Sequence, residues 1–118
     1  GLNILQTGGL SPHQSMRTFV SDYIDFSIYV DAEENTVADW FLQRFKAFRE
    51  KFICQPDSYF YQFAQMQEAD AIAFAKSVWQ EINAKNLAEN ILPFRERAHL
   101  ILHKAADHAV DTISLRKI

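Results

Sequence analysis

Glycine is nearly absent from this sequence of 118 residues. Its three glycines, Gly1, Gly8 and Gly9, all lie within the first nine positions. A loop that wraps a phosphate group with backbone N–H groups needs several closely spaced glycines, because the chain must turn tightly against the ligand. The sequence therefore contains no Walker A loop, no dinucleotide-binding fingerprint and no glycine loop of the protein-kinase type.

Cysteine, long apolar runs and excess positive charge are also missing. The single cysteine, Cys54, excludes an intrachain disulfide and a cysteine-based metal site, and we assign it no role. No apolar run approaches the roughly 18 residues needed to cross a bilayer, and no signal peptide is visible. Twelve Lys and Arg against 15 Asp and Glu give a net charge of −3. We predict a cytoplasmic protein that binds neither nucleic acid nor membranes.

The sequence is rich in large apolar residues, including ten phenylalanines, which is typical of a packed globular protein. It begins without Met, at Gly1-Leu2-Asn3-Ile4-Leu5-Gln6, a pattern that is typical of the end of a strand. Together with the glycine distribution, this start predicts the C-terminal piece of a longer protein.

Strands and helices alternate along the chain. The predicted strands are Leu2–Gln6, Asp22–Val30, Ala98–Leu102 and Ala109–Ile118, the last two pairing antiparallel. The predicted helices are Thr36–Phe52, a short one after Pro56 carrying Tyr59, Phe60 and Phe63, and Glu68–Asn86 with Ile72, Ala75, Val78, Trp79 and Ile82 inward. Leu10–Thr18 is predicted as a loop and Leu87–Pro93 as a turn or short helical segment that Pro93 ends. The strands at the two ends of the chain need further strands beside them to form a sheet of ordinary size. This indicates part of a larger α/β protein with two long helices and flanking strands.

A stripe of large apolar residues runs along the first long helix. Its members are Val37, Phe41, Phe45, Phe48 and Phe52. Such a stripe is typical of a buried core. A second interpretation is the aromatic wall of a ligand pocket, because Arg44 lies in the same helix and suits an anionic or phosphorylated ligand with an apolar tail.

Three further polar residues are candidates for a binding site. Asn83 lies inside the second long helix, where asparagine is unfavourable; capping or solvent exposure explains most such residues, and ligand binding is the alternative. Lys104 and His108 lie in the turn between the last two strands. They are either solvated turn residues, or a lysine near phosphates with an imidazole against a nucleobase.

Other charged residues carry weaker signals. His99 and His103 are four apart, but a strand with no third ligand does not favour a metal site, and we predict none. Arg95 and Arg97 could pair with Glu96 or other acids, and we interpret them as surface residues.

Several blocks of the sequence are similar to a known family. The blocks are Ser21–Ala32, Arg44–Glu50, Pro56–Phe60, Trp79–Asn83, Asn90–Pro93, Arg95–Ala98, Leu100–Lys104 and His108–Val110. In this order they resemble the C-terminal half of the bacterial type I pantothenate kinases. The resemblance covers nearly the whole chain; only Leu10–Thr18 and the stretch around Gln65–Ala71 diverge.

The resemblance implies a P-loop kinase-like α/β fold related to phosphoribulokinase and uridine kinase. It implies that ATP with Mg²⁺ phosphorylates pantothenate in the first step of coenzyme A synthesis, in a homodimer inhibited by coenzyme A. Residues 1–118 would form the C-terminal part of a single kinase domain. In the family, the other half holds the phosphate loop, the magnesium ligand and the catalytic acid, so these residues alone are expected to be inactive.

The resemblance also implies roles for individual residues. Arg44 resembles the arginine near the transferred phosphoryl group, and we take it as catalytic and substrate-binding. The remaining substrate-binding residues would be Phe41, Phe45, Phe48, Tyr59, Phe60 and Asn83. Lys104 and His108 resemble the nucleotide-binding residues. Phe41 stands where family members carry a tyrosine that holds pantothenate, and losing one hydrogen bond of about 0.5–1.5 kcal/mol predicts altered affinity.

Two other functions remain open. One is a non-catalytic module that dimerises or binds coenzyme A or pantetheine through the aromatic wall. The other is a related P-loop kinase for a nucleoside or sugar, against which the phenylalanines argue, since a hydroxyl-rich substrate needs polar partners. A glycine-rich loop ending in Lys-Ser or Lys-Thr upstream of Gly1 would favour the kinase.

Overall fold

A computed structural model of the chain describes residues 4–5 and 18–117. The chain forms two compact units. The first combines the residues up to Ala32 with those from Lys85 onward, and the second comprises Glu33–Ala84. No helix within the described residues is long and apolar enough to cross a membrane.

The first unit contains a three-stranded sheet in the order β1-β2-β3. Strand β1 is Ile28–Asp31, β2 is Leu100–Lys104 and β3 is Val110–Leu115. β1 and β2 are parallel, and the helical chain between them supplies the long connection that a parallel pair requires. β2 and β3 are antiparallel. The mixed α/β class expected from the sequence is therefore confirmed.

One face of this sheet is apolar and, among the described residues, largely uncovered. Side chains that are paired across neighbouring strands share a face, and two residues from each strand do so here. They are Ile28, Val30, Leu100, Leu102, Ile113 and Leu115. The four on the outer strands are 50% to 69% exposed, whereas Ile101, which alternates to the other face, is buried.

The second unit is helical. Helix α1 spans Glu34–Phe52, α2 spans Tyr61–Gln65 and α3 spans Glu68–Val78. α1 contacts both α2 and α3. The buried residues of this unit are all alanines, namely Ala64, Ala71 and Ala75. The larger side chains at the helix contacts are aromatic rings, most of them only partly covered.

The helical chain continues beyond α3 to Arg97. It passes through a π-helical turn at Trp79–Asn83, the short helix α4 at Ala84–Asn86, a second π-helical turn at Leu87–Ile91 and a 3₁₀ segment at Leu92–Arg97. A π-helical turn contains an extra residue, so each one rotates the following residues to a different face.

The predicted long helices and the final hairpin are confirmed. The helix predicted over Thr36–Phe52 is α1, which begins slightly earlier, at Glu34. The stretch Glu68–Asn86 is helical throughout, with the π-helical turn inside it. The last two predicted strands form the antiparallel β2–β3 pair.

Two strand predictions near the start of the chain were wrong in part. Within Leu2–Gln6 the described residues, 4 and 5, form a turn, and the others lie outside the described residues. The strand predicted over Asp22–Val30 is reduced to β1, because Val20–Tyr23 forms a 3₁₀ turn. There the backbone N–H of Phe19 donates to Asp22 Oδ2 at 2.7 Å, a local hydrogen bond that competes with strand pairing. The loop predicted over Leu10–Thr18 lies outside the described residues apart from Thr18.

Three details of the helical predictions also needed correction. Pro93 does not stop the chain's helical course, because it lies at the start of the last 3₁₀ segment, where its missing N–H has no helical acceptor. Tyr59 and Phe60 precede α2, which carries only Phe63 of the three predicted aromatics. Ile82, predicted to point inward, is 61% exposed because it lies in the π-helical turn.

Candidate functional site

The predicted site residues divide between the two units. All those predicted for the substrate lie in the helical unit, namely Phe41, Arg44, Phe45, Phe48, Tyr59, Phe60 and Asn83. The two predicted for the nucleotide, Lys104 and His108, lie in the unit that contains the sheet. Each group is therefore described within its own unit.

Aromatic rings line α1 along most of its length. The ring of Phe41 lies 5.7 Å from that of Trp79, between centroids. Phe45 lies 6.3 Å from Phe63 and 6.5 Å from Phe74, and the last two rings stack at 5.3 Å. Phe74 was not singled out from the sequence. Each of the helices α1, α2 and α3 thus contributes a ring to this cluster.

The cluster is open at the C-terminal end of α1. Phe52 lies 6.0 Å from Phe48 and 5.2 Å from Phe60, so it links two of the predicted residues. Phe48 and Phe60 are 47% and 51% exposed, and Tyr59, whose ring meets that of Phe60 edge-on, is 75% exposed. The stripe is therefore not a sealed core, and part of its aromatic surface is exposed.

The two arginines of α1 have different environments. Arg44 is exposed, and within the described part of the chain its guanidinium forms no hydrogen bond or ion pair. Arg49 is half-buried and donates from Nε to the backbone oxygen of Phe63 at 3.0 Å and from Nη2 to that of Met66 at 2.6 Å. Arg44 can therefore accept an anion without losing a partner among the described residues, whereas Arg49 is already hydrogen-bonded.

Asn83 is the last residue of the first π-helical turn and is half-buried. Like Arg44, it hydrogen-bonds to no other side chain within the described residues. Its amide offers both donors and an acceptor. π-Helical turns occur frequently at functional sites, which agrees with a ligand-binding role at this position.

Lys104 and His108 are brought together at the β2–β3 turn. Lys104 is the last residue of β2, and its Nζ lies 3.2 Å from Nδ1 of His108. His108 adopts a left-handed backbone with φ of 70°, which lets the chain close the turn through the N–H of Ala105 and the oxygen of Ala109 at 2.8 Å. The pair places an ammonium group and an exposed imidazole ring side by side at the end of β2.

Arg95 was interpreted as a surface residue with Glu96 as a possible partner; the pairing with Glu96 is confirmed, and Asp31 is a partner that the sequence did not identify. Arg95 is half-buried, and its Nε and Nη2 donate to Asp31 Oδ2 at 3.1 and 2.9 Å, while Nη1 reaches Glu96 at 2.5 Å. The hydrogen bonds to Asp31 raise the pKa of Arg95. Burial, and then the charge of Asp31, raises the pKa of Tyr29. The sequence feature that could have predicted this ion pair is an acidic residue, Asp31, at the carboxyl end of β1, together with Arg95 shortly before the parallel strand β2.

Both histidines of the β2 region, His99 and His103, are hydrogen-bonded within the sheet-containing unit. The N–H of Ser27 donates to Nδ1 of His99 at 3.0 Å. His103 Nδ1 lies 2.7 Å from Asp111 Oδ1, and this hydrogen bond lowers the pKa of Asp111. No group of three or more His, Cys, Asp or Glu that could hold a metal ion occurs among the described residues.

A cavity of about 350 Å³ lies in the sheet-containing unit. None of the predicted site residues lines it. Its two arginines already donate within the chain: Arg97 to the backbone oxygen of Leu5 and, at 3.5 Å, to Ser21 Oγ, and Arg116 to the backbone oxygen of Arg97 at 3.4 Å. We therefore assign this cavity no ligand.

Comparison with curated proteins finds relatives along the whole chain. Over 117 residues, 99% of the chain, it is 56% identical to the pantothenate kinase of Enterobacter sp., 52% to that of Erwinia tasmaniensis and 53% to that of Vibrio vulnificus. The chain is related to the pantothenate kinases. It spans 37% to 38% of the length of these pantothenate kinases, and no family model matches it. The resemblance inferred from the sequence blocks is thereby confirmed.

Proposed function

We propose that this chain forms the substrate-binding portion of a pantothenate kinase, which transfers the γ-phosphoryl group of ATP to pantothenate in the first step of coenzyme A synthesis. The observation that carries the proposal is an identity of 50% to 56% with proteins named pantothenate kinase, over 99% of the chain. The chain spans 37% of those proteins, so the activity belongs to the whole enzyme. In this proposal residues 1–118 are the C-terminal part of one P-loop kinase domain.

The open aromatic surface of α1 suits the substrate. Pantothenate has an apolar segment with two methyl groups, flanked by hydroxyl, amide and carboxylate groups. Aromatic rings cover such a segment with rigid apolar area, while a few polar groups fix its orientation. The rings proposed for this contact are those of Phe41, Phe45, Phe48, Tyr59 and Phe60. Asn83 would hydrogen-bond to a hydroxyl or amide group of pantothenate.

Arg44 is proposed as the catalytic cation of this portion. During phosphoryl transfer, negative charge spreads over the equatorial oxygens of the transferred group, and a fixed cation stabilises that charge. The guanidinium of Arg44 is exposed and has no ion-pair partner among the described residues. It can therefore contact the phosphoryl oxygens without first breaking a salt bridge.

Lys104 and His108 are proposed for the nucleotide. The ammonium group suits a phosphate, and the exposed imidazole ring next to it suits stacking on the base. Mg²⁺ would be supplied with ATP. The described residues offer no set of three or more candidate ligands for it, so we assign it to the phosphates and to residues outside this chain.

The proposal extends to the remaining properties of the family. The enzyme would be a cytoplasmic homodimer inhibited by coenzyme A, which contains a pantothenate unit and therefore presents the same apolar segment to the aromatic surface. These three properties rest on the resemblance alone.

The test uses the full-length protein that contains this sequence. ADP release is measured with pantothenate, uridine or ribulose phosphate as acceptor, for the wild type, Arg44→Ala and the control Lys46→Ala, which removes another exposed cation of α1. We expect turnover with pantothenate alone. Arg44→Ala should lower kcat by about 10²-fold or more, because it removes charge stabilisation from the transition state.

Each alternative has its own outcome. Turnover with uridine or ribulose phosphate instead of pantothenate would identify a related kinase and overturn the proposal. Binding of coenzyme A by calorimetry without phosphoryl transfer would indicate the non-catalytic module. A rise in the KM for pantothenate at unchanged kcat in Arg44→Ala would limit Arg44 to substrate binding.

A further inference from the structure

The segment that carries Phe60 and Phe63 has little stability of its own. Helix α2 has only five residues, from Tyr61 to Gln65, and a helix this short does not form independently in water. At Met66 the backbone leaves the helix, with φ of −66° and ψ of 150°. The last carbonyl groups of α2 therefore have no helical N–H donors and need partners from elsewhere.

Arg49 is the partner of one of these carbonyl groups and of the residue that follows α2. Its Nε–H donates to the oxygen of Phe63 at 3.0 Å and its Nη2–H to the oxygen of Met66 at 2.6 Å. Nε and Nη2 lie on one edge of the planar guanidinium, so the two bonds fix the direction as well as the distance between α1 and α2. A positive charge at a helix C-terminus is also electrostatically favourable.

These two bonds hold the part of the aromatic cluster that faces the proposed substrate. Phe63 contacts Phe45 on α1 and stacks on Phe74 on α3. Phe60, which immediately precedes α2, lies 5.2 Å from Phe52 and 6.4 Å from Phe63. If α2 moved away from α1, the rings of Phe60 and Phe63 would move with it, while Arg44 and the rest of α1 would keep their places.

We propose that Arg49 is a positioning residue which, through the backbone oxygens of Phe63 and Met66, fixes the α2 segment and so sets the affinity for the apolar part of the substrate. Arg49 does not touch the substrate. The inference rests on the proposed function, because it takes the ring surface of Phe45 and Phe60 as the pantothenate-binding surface.

The test compares Arg49→Met, Arg49→Lys and the control Lys46→Met in the full-length protein. Arg49→Met keeps an unbranched apolar side chain but removes both donors, and Arg49→Lys keeps the charge without the two-pronged geometry. We expect Arg49→Met to raise the KM for pantothenate by about tenfold, Arg49→Lys by about threefold and Lys46→Met not at all. The kcat and the KM for ATP should stay within about twofold of the wild type.

Hydrogen exchange supplies a readout that does not depend on the substrate. In Arg49→Met, backbone amides of residues 59–66 should exchange faster, while those of α3 keep their wild-type rates. If the wild type does not phosphorylate pantothenate, the proposed function fails, but faster exchange in residues 59–66 would still support the positioning of α2.

Three outcomes would overturn the inference. They are an unchanged KM for pantothenate in a folded Arg49→Met, equal losses of pantothenate and ATP affinity, or faster exchange throughout the second unit. If Arg49→Met does not fold, Arg49→Lys decides, and failure of both to fold would show that Arg49 stabilises the whole unit rather than positioning α2.

Discussion

His103 and Asp111 form a side-chain pair across the β2–β3 hairpin, with 2.7 Å between Nδ1 and Oδ1. His103 is 25% exposed and Asp111 47% exposed, so water screens much of their attraction. The hydrogen bond from His103 is the largest influence on Asp111 and lowers the pKa of its carboxyl group. The pair therefore links the folding of the hairpin to pH.

We predict that Asp111 titrates below its ordinary pKa of 3.8 and returns towards that value in His103→Ala. Because the folded pKa lies below the unfolded one, the stabilisation is fully present above about pH 4 and is lost as pH falls through the folded pKa. NMR titration of the Asp111 carboxyl group in the wild type and in His103→Ala measures both values. An Asp111 pKa that does not respond to His103→Ala would contradict this assignment.

Arg44 and Arg49 illustrate what sequence reasoning can determine for a single residue. Both lie in α1, next to residues of the aromatic stripe. Only the position of α2, which comes later in the chain, shows that Arg49 donates to Phe63 and Met66 while Arg44 stays exposed. Helical spacing predicts the face on which a side chain lies, but the groups that face it come from other elements.

At the scale of elements, a side-chain ion pair connects the end of β1 with the segment before β2. β1 has only four residues and pairs in parallel with β2, an arrangement slightly less stable per residue than antiparallel pairing. Its last residue, Asp31, accepts two hydrogen bonds from Arg95 in the 3₁₀ segment. Asp31 is 15% exposed, so the interaction is only partly screened.

Asp31→Asn should therefore lower the free energy of unfolding of the full-length protein by about 1–2 kcal/mol, because the guanidinium of Arg95 loses its charged acceptor. Urea unfolding followed by circular dichroism measures the change. The control is Asp25→Asn, an exposed carboxylate in the same unit, with an expected change within about 0.5 kcal/mol. Equal effects of the two variants would show that the ion pair adds nothing to stability.

Elements with a long and regular pattern were predicted well. The i+4, i+4, i+3, i+4 spacing from Val37 to Phe52 can be satisfied only by a helix, and α1 ends at Phe52 as expected. The strand predicted over Asp22–Val30 was too long, because a side-chain hydrogen bond at Asp22 formed a turn within it. The π-helical turn at Trp79–Asn83 has no pattern of its own, so the exposure of Ile82 could not be predicted.

At the scale of the whole molecule, the apolar face of the sheet is the main feature that residues 4–5 and 18–117 leave uncovered. Ile113 and Leu115 on β3 are 65% and 69% exposed, and Ile28 and Val30 on β1 are 50% and 61% exposed. Sheets with parallel strands normally bury both faces. No other strand of the described part of the chain pairs with the outer edges of β1 and β3. An exposed apolar face beside such edges promotes association between molecules.

We predict that the 118-residue chain alone associates with itself. Light scattering should give a mass well above 13.7 kDa, and a double variant with Ile113→Thr and Leu115→Thr should reduce the association. The control is Thr112→Ser, on the opposite face of β3. A monomer of the unmodified chain with a sharp cooperative thermal transition would contradict the prediction.

The sequence by itself determined the helical unit's main helix, the final hairpin and the relation to the pantothenate kinases, because each depends on residues whose order and spacing are local. The tertiary structure decided that the aromatic stripe is open rather than sealed, that Arg95 pairs with Asp31, and that Arg49 holds α2. These depend on contacts between residues far apart in the chain, and the spacing of residues along one segment carries no information about which distant group will face them.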